Sequence, residues 1–206
     1  MKKMTFGSGE TNSVQIFSKE RVHVDYLVTL PEEIGSPSQY STLIALFSFA
    51  EEGDTITLEI NNGGGYLNTA LQICNAMADC KAHITAVLNT EGHSAASLIF
   101  LSANSCGVGK YASMLAHEGG TGMMGKPSDV RRQMQHYDKM GERIIRDTYE
   151  GFLTTEEIDR VLDGLELFLD DKEIIRRLDV RDEYFKALME AENITDNEET
   201  QEVEND

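Results

Sequence analysis

The strongest constraint on this chain is a repeated alternation of short apolar strands with helical segments, linked by loops of small residues. Thr55-Ile56-Thr57-Leu58-Glu59-Ile60 reads as a strand and runs into Asn61-Asn62-Gly63-Gly64-Gly65. Tyr66 to Cys80 follows with helical spacing, placing Leu67, Ala70, Leu71, Cys74 and Met77 on one stripe. His83-Ile84-Thr85-Ala86-Val87-Leu88 is a further strand, followed by Gly92-His93-Ser94-Ala95-Ala96-Ser97 and a helix from Ala95 to Ala103. Short strands at Cys106–Val108 and Ser113–His117 come next. Upstream, Arg21 to Val28 alternates as a half-buried strand. Ser36-Pro37-Ser38 opens a helix whose apolar face carries Leu43, Leu46, Phe47 and Ala50. Strands and helices in this order predict an α/β fold with a largely parallel sheet.

Beyond residue 118 the pattern changes. Gly119 to Pro127 is a glycine-rich connector, leading into a helical segment from about Ser128 to Gly151. Such a helix is long for a compact domain. It is read as projecting and packing against another subunit, with an intramolecular core helix as the alternative. Thr154-Thr155-Glu156-Glu157 carries an N-cap and an acidic first turn. A last short helix is expected over Asp170 to Arg177.

A length of 206 residues favours one domain with appendages. Residues 1–20 read as a flexible N-terminal arm, 21–189 as the folded domain and 190–206 as a tail. From Glu190 to Asp206 there are eight acidic residues and no basic ones, so that tail is expected to be disordered. The net charge of −18 argues against nucleic acid, which needs a basic footprint. No apolar run approaches the roughly 20 residues that span a bilayer, and the first residues lack the apolar block of a signal peptide. A cytoplasmic protein with no membrane partner is the resulting expectation. Cys74, Cys80 and Cys106 are spaced for neither a disulfide framework nor a zinc site and read as small apolar side chains.

Three elements of this pattern carry chemistry. Ser94 is set among small residues at a helix start, and His117 stands where a short strand ends. The glycine triplet 63–65 can turn backbone N–H groups toward a reacting carbonyl. A serine becomes a nucleophile when a base takes its proton and a third group orients that base. The developing oxyanion then needs preorganised donors. Ser97 is the competing serine, while His23, His83 and His136 fall where structural or solvated roles are expected.

Asn61-Asn62-Gly63-Gly64-Gly65, Gly92-His93-Ser94-Ala95-Ala96-Ser97, Met114-Leu115-Ala116-His117 and Leu165-Glu166-Leu167-Phe168-Leu169, in that order, resemble the ClpP family of serine peptidases. The resemblance covers roughly Arg21 to Asp179. It implies a crotonase-like fold of strand–helix units, with residues 118–151 as a projecting handle. Ser94 lies 29 residues after Gly65 and 23 before His117, close to the family spacing, which favours it over Ser97. The resemblance makes Ser94 the nucleophile, His117 the base, and Gly65 and Ala95 the oxyanion donors. Glu166, 49 residues after His117, stands where the family has aspartate. Asp163, Asp170 and Asp171 are the alternative acids. Glu118-Gly119 also replaces the family's Gln-Pro after the histidine.

What the resemblance implies is an endopeptidase acting on peptides or unfolded proteins, without metal or cofactor, in stacked seven-membered rings. The resemblance also implies an ATP-driven AAA+ unfoldase as partner, and since the chain has no P-loop, any ATP use falls to that partner. The departures mark a divergent member, such as a virus-encoded one. A protease of capsid assembly and a catalytically silent structural or regulatory ring subunit are the alternatives.

Overall fold

The computed structural model describes residues 22–203 together with the strands β1 (Lys2–Met4) and β2 (Ile16–Ser18), with side chains from 22 to 191. These two strands pair antiparallel, and the rest of the arm expected over residues 1–20 lies outside the described residues. The main sheet follows the alternating pattern. It contains β3 (Asp25–Thr29), β4 (Thr55–Asn62), β5 (His83–His93), β6 (Ser105–Val108), β7 (Ser113–Ala116) and β8 (Leu167–Asp170). Strand order is β3-β4-β5-β7-β8, with β6 also paired to β5. All these pairings are parallel except β7 with β8.

β5 is the element that builds the site. The sequence pattern marks it over His83–Leu88, yet it continues to His93, because it changes partner partway along. Thr85–Leu88 pair with β6, while Glu91–His93 pair with β7. The far half of β5 therefore delivers the chain directly to Ser94. β8 escaped the sequence reading altogether, since four residues with only Leu169 fully buried carry too little alternation to register.

Helices α1 (Ser41–Phe49), α2 (Leu67–Ala78) and α3 (Ala95–Leu101) connect the strands. A single 3-10 turn, Pro37–Tyr40, precedes α1. The core joins Ile56, Leu58, Ile60, Ile84, Ala86 and Leu88 of the sheet to Phe47, Ala70, Ile73 and Met77 of α1 and α2. Two details of the expected stripe on α2 differ. Leu67 is exposed and Ile73 is fully buried, because the buried face centres on Ala70, Ile73 and Met77. α3 is buried along its whole length, from Ala95 to Leu101.

α4 (Pro127–Tyr149) splits into two regimes. Every residue from 131 to 140 is exposed, including Met134, Tyr137 and Met140, whereas Ile145 and Tyr149 are buried. The helix thus projects from the domain and is anchored by its last turns, so the alternative of a core helix fails for most of its length. α5 (Thr155–Leu162) opens on a complete capping box. The Thr154 side chain accepts from the Glu157 N–H, and the Glu157 carboxylate accepts from the Thr154 N–H. Glu157 also accepts two bonds from Arg177, at 2.8 and 2.7 Å. That guanidinium holds the Glu157 carboxyl down at about 2.

The last helix is much longer than the expected Asp170–Arg177. α6 runs from Asp171 to Val203, so its backbone enters the acidic segment read as a disordered tail. Side chains beyond residue 191 lie outside those described. All three cysteines are free and half-buried, and burial raises the Cys106 thiol to about 11.

Candidate active site

Ser94 stands at the junction of β5 and α3 with φ 55° and ψ −127°, a conformation few non-glycine residues adopt. A side chain held this way at a sharp strand-to-helix turn is thrust clear of the backbone, as in a nucleophile elbow. Such backbone strain costs on the order of 1–3 kcal/mol and persists only where surrounding contacts enforce it. Those contacts are present here. The Ser94 N–H donates to the Leu115 carbonyl of β7 at 2.9 Å, and its own carbonyl accepts from the Ser97 N–H at 2.9 Å.

His117 follows β7 by one residue. Because β7 pairs with the end of β5, the ring arrives beside the elbow, and His117 Nε2 lies 2.7 Å from Ser94 Oγ. With Nε2 unprotonated, the serine hydroxyl donates to it, and the ring proton resides on Nδ1. The nucleophile and base implied by the family resemblance are therefore in hydrogen-bond contact across 23 positions of sequence.

Glu166 is close by topology but is not bonded to the histidine. Ala116 pairs with Leu167 at the end of the β7–β8 ladder, so His117 and Glu166 each lie one residue beyond that last pair. Glu166 is exposed, and among the described residues His117 Nδ1 has no acceptor. The alternative acids are otherwise engaged or free of the site. Asp170 caps the Glu173 N–H, and Asp171 accepts from Tyr111 and Lys172. Asp163 sits exposed in the turn after α5.

The glycine loop closes the other side. Asn62 is buried, donates to the Pro31 carbonyl at 2.6 Å and accepts from the Gly64 N–H at 2.7 Å. Asparagine bonding two residues onward is an Asx-turn, a signal legible in Asn62-Gly63-Gly64. Gly64, at φ +97°, lies directly on the elbow. A Cβ there would stand 2.7 Å from Ser94 Cβ and 2.8 Å from the His93 carbonyl. Gly65, at φ +141°, is pressed against Ile34, with 2.2 Å between an added Cβ and the Ile34 carbonyl oxygen. Among the described residues, neither the Gly65 N–H nor the Ala95 N–H has an acceptor. Gly64 was not singled out from sequence, because only its contact with Ser94 distinguishes it within the triplet.

Ser97 is fully buried. Its hydroxyl is engaged with the Ser94 carbonyl and the Tyr149 hydroxyl, both at 2.6 Å. The remaining histidines make their contacts elsewhere, His83 with Ser105 and His136 edge-on to Tyr137, while His23 lies against Gly53. His93 is half-buried next to the elbow, bonded to Ser113 at 3.1 Å and edge-on to Phe168.

A backbone-strained serine bonded to a histidine at the end of a neighbouring strand has the chemistry for nucleophilic attack on an acyl group. The chain belongs to the Clp protease family, whose model matches residues 9–167. That span covers the glycine loop, the elbow, His117 and Glu166. No curated protein matches the chain significantly. At family level this is a ClpP-like peptidase with a mixed α/β fold. Among the described residues, no helix is long and apolar enough to cross a membrane.

Proposed function

We propose that the protein is a serine endopeptidase that cleaves peptides or unfolded proteins within a ring-shaped oligomer. The observation that carries this reading is the 2.7 Å contact between Ser94 Oγ and His117 Nε2 on a positive-φ elbow. Ser94 Oγ attacks the substrate carbonyl carbon while His117 Nε2 takes the hydroxyl proton. The N–H groups of Gly65 and Ala95 stabilise the oxyanion. As the C–N bond breaks, His117 passes its proton to the leaving amine. Water, deprotonated by the same nitrogen, then attacks the acyl-enzyme, releasing the carboxylic acid and restoring the serine hydroxyl. Glu166 takes the third place by accepting from His117 Nδ1 once its side chain turns across the strand pair. Glutamate serves this role in other triads, having the reach for it.

The ring reading draws its support from α4. Met134, Tyr137 and Met140 project from an exposed helix, and burying them against a neighbouring subunit removes that apolar surface from water. In keeping with the family, an ATP-driven unfoldase feeds the ring in the cytoplasm, with residues 21–189 as the peptidase domain.

A second reading is a catalytically silent ring subunit, favoured by the open Nδ1 of His117. The two separate by degradation of a permanently unfolded protein, compared between the wild-type chain and Ser94→Ala. Peptide products from the wild type alone support the peptidase. Equal inertness of both, in an assembled oligomer, supports the silent subunit.

A further inference from the structure

The Ser97 hydroxyl lies between two oxygens, and their chemistry fixes the direction of the bonds. The Ser94 carbonyl can only accept, so Ser97 donates its single proton to it. Tyr149 must then donate to Ser97. Burial raises the Tyr149 phenol to about 12, so it keeps that proton throughout the ordinary pH range. The result is a directed chain from the last residue of α4, through Ser97, to the Ser94 carbonyl.

That carbonyl belongs to the Ser94–Ala95 peptide unit, whose other end is the Ala95 N–H. In a planar trans peptide the C=O and N–H point in opposite directions, so fixing one aims the other. Hydrogen bonds to the carbonyl also polarise the amide and strengthen its N–H as a donor. The Ser94 carbonyl receives two, from the Ser97 N–H at 2.9 Å and the Ser97 hydroxyl at 2.6 Å. We propose that Tyr149 and Ser97 are positioning residues that aim and polarise the Ala95 N–H as an oxyanion donor. The inference rests on the peptidase reading of Ser94. Neither hydroxyl touches substrate; both act through the peptide that does.

Tyr149→Phe removes only the phenol oxygen, and Ser97→Ala removes the bond to the carbonyl itself. Outright loss of an oxyanion donor costs about 10²–10³ in kcat. Indirect weakening should cost less, about 3- to 10-fold for Tyr149→Phe and about 10- to 100-fold for Ser97→Ala. The fall should appear in kcat for a peptide substrate and in the rate at which a fluorophosphonate acylates Ser94, with KM unchanged. Since the two act in series, the double variant should be no slower than Ser97→Ala alone. Thermal melting identifies variants that fold, and either variant alone suffices to read the effect.

A wild-type chain that fails to acylate at Ser94 overturns the peptidase reading, and this inference with it. A wild type that acylates, with both folded variants acylating at the same rate, overturns only the inference. Additive losses in the double variant, or a rise in KM in place of a fall in kcat, also contradict it.

Discussion

Gly64→Ala tests whether the glycine loop braces the nucleophile. The new methyl would stand 2.7 Å from Ser94 Cβ and 2.8 Å from the His93 carbonyl oxygen, where ordinary contact begins near 3.4 Å. Both obstacles belong to the elbow. Ser94 is held to β7 and to Ser97, so neither obstacle can swing aside as the end of a flexible side chain would. The backbone of residue 64 would also have to keep φ +97° with a Cβ present. That alone costs about 1–2 kcal/mol. Relief of the overlap requires a shift of about 0.7 Å between loop and elbow, and a misplacement of about 1 Å at a reacting centre costs on the order of 10²-fold in rate. The expected result is a destabilisation of about 1–3 kcal/mol in denaturant unfolding, with acylation of Ser94 by a fluorophosphonate slowed about 10- to 100-fold. Gly119→Ala is the control, because a Cβ there meets nothing within 4 Å. Wild-type stability and acylation in Gly64→Ala would refute the claim that the loop presses on the elbow.

Other expectations follow from the same geometry. Glu166→Ala should slow acylation by about 10²–10⁴-fold, as loss of the third triad member does elsewhere, while Asp163→Ala and Asp170→Ala leave it unchanged. Acylation kinetics of the three variants identify the acid. Glu157 is held at about 2 when folded, chiefly by Arg177, against 4.5 as its ordinary value. Its folded value is lowered, so its stabilising contribution is complete above pH 4.5 and is lost as pH falls toward 2. Urea unfolding from pH 6 to pH 2.5 should show Glu157→Gln losing less stability over that window than the wild type. Met134→Ser with Tyr137→Ser should shift the oligomer toward smaller species in sedimentation while leaving the melting temperature of the isolated domain nearly unchanged, since both side chains are exposed in the single chain. Retention of the full assembly would remove α4 as its interface.

What was legible in the sequence followed from local pattern. The strand–helix alternation located β3, β4, β5 and the helices between them, because each buries one face against a common core. The Thr154–Glu157 cap was legible because its bonds span three residues. β8 and the far half of β5 were not, since both depend on partners far away in the chain. The same distinction divides the site. Ser94 and His117 stood out through their neighbours and spacing, and the fold brings them together. Gly64 matters through its close approach to His93 and Ser94, 29 and 30 positions on, and Tyr149 through one contact across 52. Neither has a local sequence signal. Geometry adds to spacing in setting the rival serine apart. Ser97 is one helical turn beyond Ser94, buried, with its proton committed to the Ser94 carbonyl.

Activation of the Ser94 hydroxyl by His117 is the step on which the proposed peptidase depends. Its most direct test is fluorophosphonate labelling of the assembled protein, followed by mass-spectrometric mapping of the modified peptide. A single adduct on Ser94 is expected, absent in Ser94→Ala and strongly reduced in His117→Ala. An adduct on Ser97, or none on an intact oligomer, would contradict it.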